Sequence, residues 1–85
     1  MIGCEYENLM QALKIVRREY DKAVQKHPEF PAGASAVCVI AEELGELAKE
    51  VNDKAANGEW RKRAITEAAH VAVTAIRTIQ MLMGE

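Results

Sequence analysis

Arg63-Ala64-Ile65-Thr66-Glu67-Ala68-Ala69-His70-Val71-Ala72-Val73-Thr74-Ala75-Ile76-Arg77 decides the fold. Ala64, Ile65, Ala68, Ala72, Ile76, Ile79 and Met83 recur at helical spacing and share one face. Val71, Val73 and Ala75 widen the apolar surface well beyond a single stripe, leaving one narrow polar line of Arg63, Glu67, His70, Thr74 and Arg77. A helix that is apolar on nearly all sides is covered on most of them. Three helices in 85 residues cannot supply that cover. The expectation is therefore an obligate oligomer, with this segment, about 59–83, inside a multi-chain bundle.

Outward from this stretch the chain reads as all-α. It has fourteen Ala, two Pro and five Gly, with no alternating strand pattern. The breakers cluster at His27-Pro28-Glu29-Phe30-Pro31-Ala32-Gly33 and at Asn57-Gly58. A first helix is predicted over about 5–26, with Tyr6, Leu9, Leu13, Val16, Tyr20 and Ala23 or Val24 on one stripe and Lys14, Arg17, Arg18, Glu19, Asp21 and Lys22 on the charged faces. A second is predicted over about 35–56, capped by Ser35, with Val37, Ile40, Leu44, Leu47 and Val51 as its stripe and Gly58 closing the turn that follows. Residues 1–85 make one small domain that buries roughly 60–65% of its unfolded surface.

Composition narrows the function. Eleven Lys+Arg against thirteen Asp+Glu give a net charge of −2, which argues against a nucleic-acid backbone binder. No apolar run reaches the ~18–20 residues of a membrane span, and no basic start leads into an apolar stretch. Cys4 and Cys38 lack zinc or CxxC spacing and read as two free thiols in a reducing, cytoplasmic setting.

The chemistry-bearing run is Glu42-Glu43-Leu44-Gly45-Glu46-Leu47-Ala48-Lys49-Glu50. At ~100° per residue Glu43, Glu46 and Glu50 share a flank beside the apolar stripe, and Glu42 lies further toward solvent. Glu67 and His70 sit three apart on the next helix. Packed antiparallel through the Asn57-Gly58 turn, the two pairs face each other. Carboxylates crowded in this way raise each other's pKa, and a divalent cation relieves the repulsion. Oxygen ligands favour Mg²⁺ or Mn²⁺, with waters in the remaining positions. Two plainer readings stay open: a solvated acidic face on the second helix and a satisfied polar network around Glu67 and His70.

At these residues the chain resembles the MazG-like all-α nucleoside triphosphate pyrophosphohydrolase superfamily, which also contains dimeric dUTPase-like and dCTPase-like members. Its motif is EExxE, a gap, then ExxD. Glu42-Glu43-Leu44-Gly45-Glu46 matches the first half, and Glu67-Ala68-Ala69-His70 stands where the second belongs, with twenty residues between. The resemblance covers about residues 27–80. It implies a helical dimer or tetramer that cleaves a (d)NTP to a (d)NMP and pyrophosphate with Mg²⁺, or Mn²⁺, as cofactor. By position it implies Glu43, Glu46 and Glu67 as metal ligands, with His70 in the fourth motif place, and Glu42 as a ligand or an orienter of water.

The sequence departs from the motif at His70, which replaces the family's Asp. Neutral imidazole is a poor Mg²⁺ ligand, so Mg²⁺ affinity is expected to fall and a borderline metal to gain. Little chain follows the third helix, so pocket completion is expected from a partner subunit. Lys54, Lys62 and Arg77 are candidates for phosphate contact, and Trp60 or Phe30 for base stacking, each set against an ordinary surface or core role. Two other functions compete. Glu67-x-x-His70 with a Glu from another helix is also the ligand pattern of ferritin-like di-iron carboxylate bundles. A non-catalytic helical oligomerisation module would use the polar line as a buried specificity device.

Overall fold

The computed structural model describes residues 2–53 and 59–84, with side chains from Glu5 onward. Three helices follow one another: α1 (Ile2–Lys26), α2 (Ala34–Asn52) and α3 (Trp60–Met83). There is no strand among the described residues. None of the helices described is long and apolar enough to cross a membrane.

Local chemistry sets the helix ends. Pro28 cannot donate to a helical ladder and disfavours helical backbone just before it. α1 accordingly stops at Lys26, and the His27 amide makes the last bond, to the Ala23 carbonyl at 2.7 Å. Gly33 (φ 62°, ψ −136°) turns the chain into α2, and the Ala36 amide bonds its carbonyl at 3.1 Å. That left-handed turn favours glycine. It also corrects the expected cap: Ser35 lies inside the first turn, and Gly33 precedes the helix without any side-chain cap. α2 ends at Asn52 rather than near residue 56, with the Asp53 amide bonded to the Lys49 carbonyl at 2.9 Å. The Asn57-Gly58 turn lies outside the described residues.

α3 is the central element. It packs along α2 and against α1, while α1 and α2 make no Cα approach within 8 Å of each other among the described residues. α2 and α3 run antiparallel in a constant register. Arg63 Nε donates to Glu50 Oε2 at 2.8 Å, and one helical turn onward Glu46 faces Glu67. The next turn brings Glu43 to His70. α1 packs against α3. Its neighbouring residues Glu19 and Tyr20 reach His70 and Gln80, both at 3.0 Å. Those two partners are about 15 Å apart along a helix axis.

The interior is built from small and polar groups: Ala36, Ala64, Ala69, Val73, Thr74 and Arg77. Alanine at these positions lets backbones approach closely. Arg77 donates to the carbonyls of His27 at 2.7 Å and Pro28 at 3.4 Å, and its guanidinium lies 5.0 Å from the centre of the Phe30 ring. It therefore ties the α1–α2 loop to α3.

The large apolar groups lie elsewhere. The expected α3 face divides, with Ala64 buried and Ile65, Ala68, Ile76, Ile79 and Met83 exposed. Of the polar line, Thr74 and Arg77 turn inward, Glu67 and His70 are half-buried, and Arg63 is exposed. The α2 stripe also splits: Ile40 and Leu47 are half-buried, and Val37, Leu44 and Val51 are exposed. On α1, Val16, Tyr20, Ala23 and Val24 are half-buried, whereas Tyr6, Leu9 and Leu13 are left uncovered. The chain thus buries small residues and Arg77, half-buries Glu19, Glu43 and Glu67, and leaves many of its bulky apolar groups exposed.

Candidate metal centre

Glu43 from α2 and Glu67 and His70 from α3 offer three ligand atoms that all lie within 4.8 Å of one another. The local cause is helical spacing. Residues three apart share a face, so Glu67 and His70 project together, and the antiparallel register brings Glu43 opposite them. His70 Nδ1 is 3.3 Å from Glu67 Oε2 and 3.5 Å from Glu43 Oε2. Glu43 Oε2 is shielded from solvent and has no hydrogen-bond partner. The 3.5 Å approach of Nδ1 is an ion-pair distance without hydrogen-bond geometry, because the imidazole proton cannot serve both carboxylates.

A third carboxylate completes the arrangement from α1. Glu19 Oε1 is 3.0 Å from His70 Nε2, and Glu19 Oε2 accepts from Lys22 Nζ at 3.2 Å, with Arg18 Nε at 3.9 Å. The Glu19 side chain is only 10% exposed, so it is held on both oxygens in a nearly closed environment.

Burial and crowding set the ionisation. Burial first, then the neighbouring Glu46 charge, holds the Glu43 carboxyl above its ordinary value; Glu67 adds to this and His70 opposes it. Burial and a hydrogen bond with Glu46 raise Glu67, against the pull of His70. For His70, burial favours the neutral ring, but the hydrogen bonds to Glu19 and Glu67 and the nearby carboxylate charge outweigh it and raise its pKa. For Glu19, burial pushes upward and is overcome by His70 and Lys22, so its carboxyl is held low. One face of His70 thus meets a firmly ionised acid, and the other meets two acids that resist ionisation.

The remaining expected residues separate into groups. Glu46 is exposed and borders the cluster beside Glu43 and Glu67. Glu42 is exposed on α2 outside the trio. Glu50 is engaged with Arg63. Lys54 lies outside the described residues. Lys62 is exposed. Trp60 stacks under Arg61, whose guanidinium carbon is 5.3 Å from the ring centre, and does not line the cavity next to the trio. Arg77 does line it, with its guanidinium already bonded to the loop carbonyls. Cys38 is exposed and unpaired.

That cavity, about 610 Å³, opens from Glu43 and His70 toward Phe30 and Arg77, with Lys22 and Lys26 on the α1 side. Of the two stacking candidates Phe30 is therefore the one at the cavity. Glu19, Lys22 and Lys26 were not singled out by motif reading. One signal for Glu19 is present in the sequence: it stands three residues after Val16 and four before Ala23, in phase with the half-buried side of α1.

Comparison with protein-family models, curated proteins and solved structures finds no match to the chain.

Proposed function

We propose that the protein is a metal-dependent nucleoside triphosphate pyrophosphohydrolase of the MazG-like kind, converting a (d)NTP to a (d)NMP and pyrophosphate as a homo-oligomer. The convergence of Glu43, Glu67 and His70 within 4.8 Å carries the reading. The donor set fits a divalent cation: Glu43 Oε2 is shielded and unpartnered, and two carboxyls resist ionisation in each other's company. Glu43, Glu67 and His70 would hold the ion, with Glu46 at the rim. Mg²⁺ is the family's ion and Mn²⁺ the one better suited to an imidazole ligand. When bound, the ion would lower the pKa of a water and offset phosphate charge.

The protein's own residues do the rest. The cavity beside the trio has room for a nucleotide, with Phe30 available to a base and Lys26 to phosphate oxygens. A water oxygen bonds to the α-phosphorus, and the bridging bond to the β-phosphate breaks. Pyrophosphate leaves, and an adjacent carboxylate such as Glu46 takes the proton of the water. Oligomer formation is supported by the exposed Ile65, Ile76, Ile79 and Met83 along α3 and Tyr6, Leu9 and Leu13 along α1. Contiguous exposed apolar surface of this kind marks an interaction face.

One observation favours a second reading. An imidazole nitrogen among the ligand atoms suits iron, and two chains would supply Glu67-x-x-His70 twice, as in di-iron carboxylate bundles. A single pair of measurements separates the two. The purified oligomer is incubated with a panel of NTPs and dNTPs plus Mg²⁺ or Mn²⁺ and assayed for pyrophosphate, and its metal content is determined. Metal-dependent release with at least one nucleotide is expected. No release with any nucleotide and either ion removes the hydrolase reading, and bound iron in the same protein transfers support to the second.

A further inference from the structure

His70 is contacted on both ring nitrogens, and the two contacts differ in kind. On the Nε2 side stands one carboxylate, Glu19 Oε1 at 3.0 Å. On the Nδ1 side stand two, Glu67 Oε2 at 3.3 Å and Glu43 Oε2 at 3.5 Å, and the second has no hydrogen-bond partner. A neutral imidazole has one N–H and one lone pair. Placing the proton on Nε2 satisfies the shortest contact and leaves the Nδ1 lone pair among carboxylate oxygens, where a bound cation, or a proton shared with Glu43 or Glu67, relieves it. The opposite tautomer would set a lone pair against Glu19, still leaving one of Glu43 and Glu67 without a donor.

We propose that Glu19 is a positioning residue that accepts the Nε2 proton of His70 and so aims the Nδ1 lone pair at the Glu43–Glu67 pair, making the site selective for a transition-metal ion of the Mn²⁺, Fe²⁺ or Co²⁺ class over Mg²⁺. The proposal rests on the metal-centre reading above and not on the identity of the reaction. Glu19 itself is not a ligand: Oε1 is bonded to the imidazole and Oε2 to Lys22 at 3.2 Å. Its hold on the ring is firm because its side chain is nine-tenths buried and anchored from α1, fifty-one residues away in sequence. Carboxylates behind a ligating histidine fix the tautomer and strengthen the ligand nitrogen, and removing them costs about 10–100-fold in metal affinity. Nitrogen donors favour transition metals, whereas Mg²⁺ prefers oxygen. The α1–α3 contact therefore tunes a site whose ligands all come from α2 and α3.

The test uses the full chain and needs no nucleotide. Long-range ¹H–¹⁵N correlation spectra of the metal-free protein, at alkaline pH where the ring is neutral, report which His70 nitrogen carries the proton. Co²⁺, Mn²⁺ and Mg²⁺ affinities are then measured for wild type, Glu19→Gln and Glu19→Ala, with the Co²⁺ absorption spectrum as a signature of nitrogen ligation. The expected results are an Nε2–H tautomer and tighter Mn²⁺ than Mg²⁺ binding in wild type. Glu19→Ala should weaken Co²⁺ and Mn²⁺ by about 10–100-fold and Mg²⁺ by less. Glu19→Gln keeps an acceptor oxygen and should retain most of the wild-type affinity. An Nδ1–H tautomer in wild type, Mg²⁺ binding as tight as Mn²⁺, or undiminished Co²⁺ affinity in a folded Glu19→Ala would overturn the proposal. The wild-type tautomer and the wild-type Mn²⁺ and Mg²⁺ affinities decide it even if the alanine variant does not fold. Normal Co²⁺ binding without pyrophosphate release would remove the hydrolase reading alone.

Discussion

Arg77 on α3 donates to the main-chain carbonyl of His27 at 2.7 Å, joining the first residue of the α1–α2 loop to the central helix. Arg77 is 7% exposed and its guanidinium also packs on Phe30, so it fixes the wall of the cavity beside Glu43 and His70. Its first task is architectural, whatever charge it also lends to a ligand.

Arg77→Met should therefore destabilise the chain by about 1.5–3 kcal/mol, the usual worth of a hydrogen bond made by a charged group. Urea unfolding measures this directly. Arg77→Lys should recover only part, because an ammonium cannot reproduce the planar stacking on Phe30. Stability equal to wild type in Arg77→Met would show that the loop is held by something else.

Ile76 tests the outward apolar face. It lies on the same side of α3 as Ile65, Ile79 and Met83, all exposed in the single chain. Burying an isoleucine is worth roughly 1.5–3 kcal/mol. Ile76→Glu should then raise the oligomer dissociation constant by at least tenfold at each interface the residue joins. Analytical ultracentrifugation over a concentration series checks this. A wild-type chain that stays monomeric at every concentration defeats the oligomer proposal outright.

These two residues show what was legible in the sequence. The three helices could be read because Pro28 and Gly33 act on their own neighbours. The α2–α3 half of the centre could be read because the Glu67–His70 spacing is a property of one helix and only a few residues separate α2 from α3 in sequence. The direction in which α3 faces could not. Periodicity locates its apolar side, but not whether the cover comes from the same chain, and here Arg77 and Thr74 turn inward while Ile76 and Ile79 turn out. Glu19 was hidden for a related reason: it meets His70 through the packing of α1 on α3, fifty-one residues apart in sequence, and no local repeat encodes which helices touch.

The centre predicts a pH dependence for the metal-free protein. Glu43 and Glu67 are held above the ordinary 4.5, and His70 above 6.5. Each binds its proton more tightly folded than unfolded, so stability falls as pH rises. The carboxyl penalty grows as pH climbs from 4.5 through the folded values. The His70 contribution is complete below 6.5 and is lost as pH passes its folded value. Glu19 has the opposite sign: held below 4.5, it stabilises above that pH and is lost as pH falls through its lower folded value. The melting temperature in chelator should peak near pH 4.5, where Glu19 is ionised while Glu43, Glu67 and His70 keep their protons, and decline on the alkaline side. Each kcal/mol lost lowers it by about 4–8 °C in a domain of this size. Adding Mn²⁺ should flatten the alkaline side. A chelated protein whose melting temperature rises steadily to pH 9 contradicts the electrostatics described for this cluster.

His70→Asp asks whether the imidazole stands in the metal site. The substitution restores the ExxD motif, replaces a nitrogen donor by oxygen and adds a negative charge. It also takes the N–H away from Glu19, which keeps Lys22 but then faces another carboxylate. Two effects should follow together. The metal-free variant should melt lower than wild type, because like charges are crowded without a cation. Its Mg²⁺ affinity should rise by about tenfold, equivalent to 1.4 kcal/mol, and Mg²⁺-dependent pyrophosphate release should rise with it. Calorimetric titration with Mg²⁺ and Mn²⁺ separates this from a general loss of structure, since a damaged fold would weaken both ions. If Mg²⁺ binding does not change while the fold is intact, His70 belongs to a buried polar network and not to a metal centre.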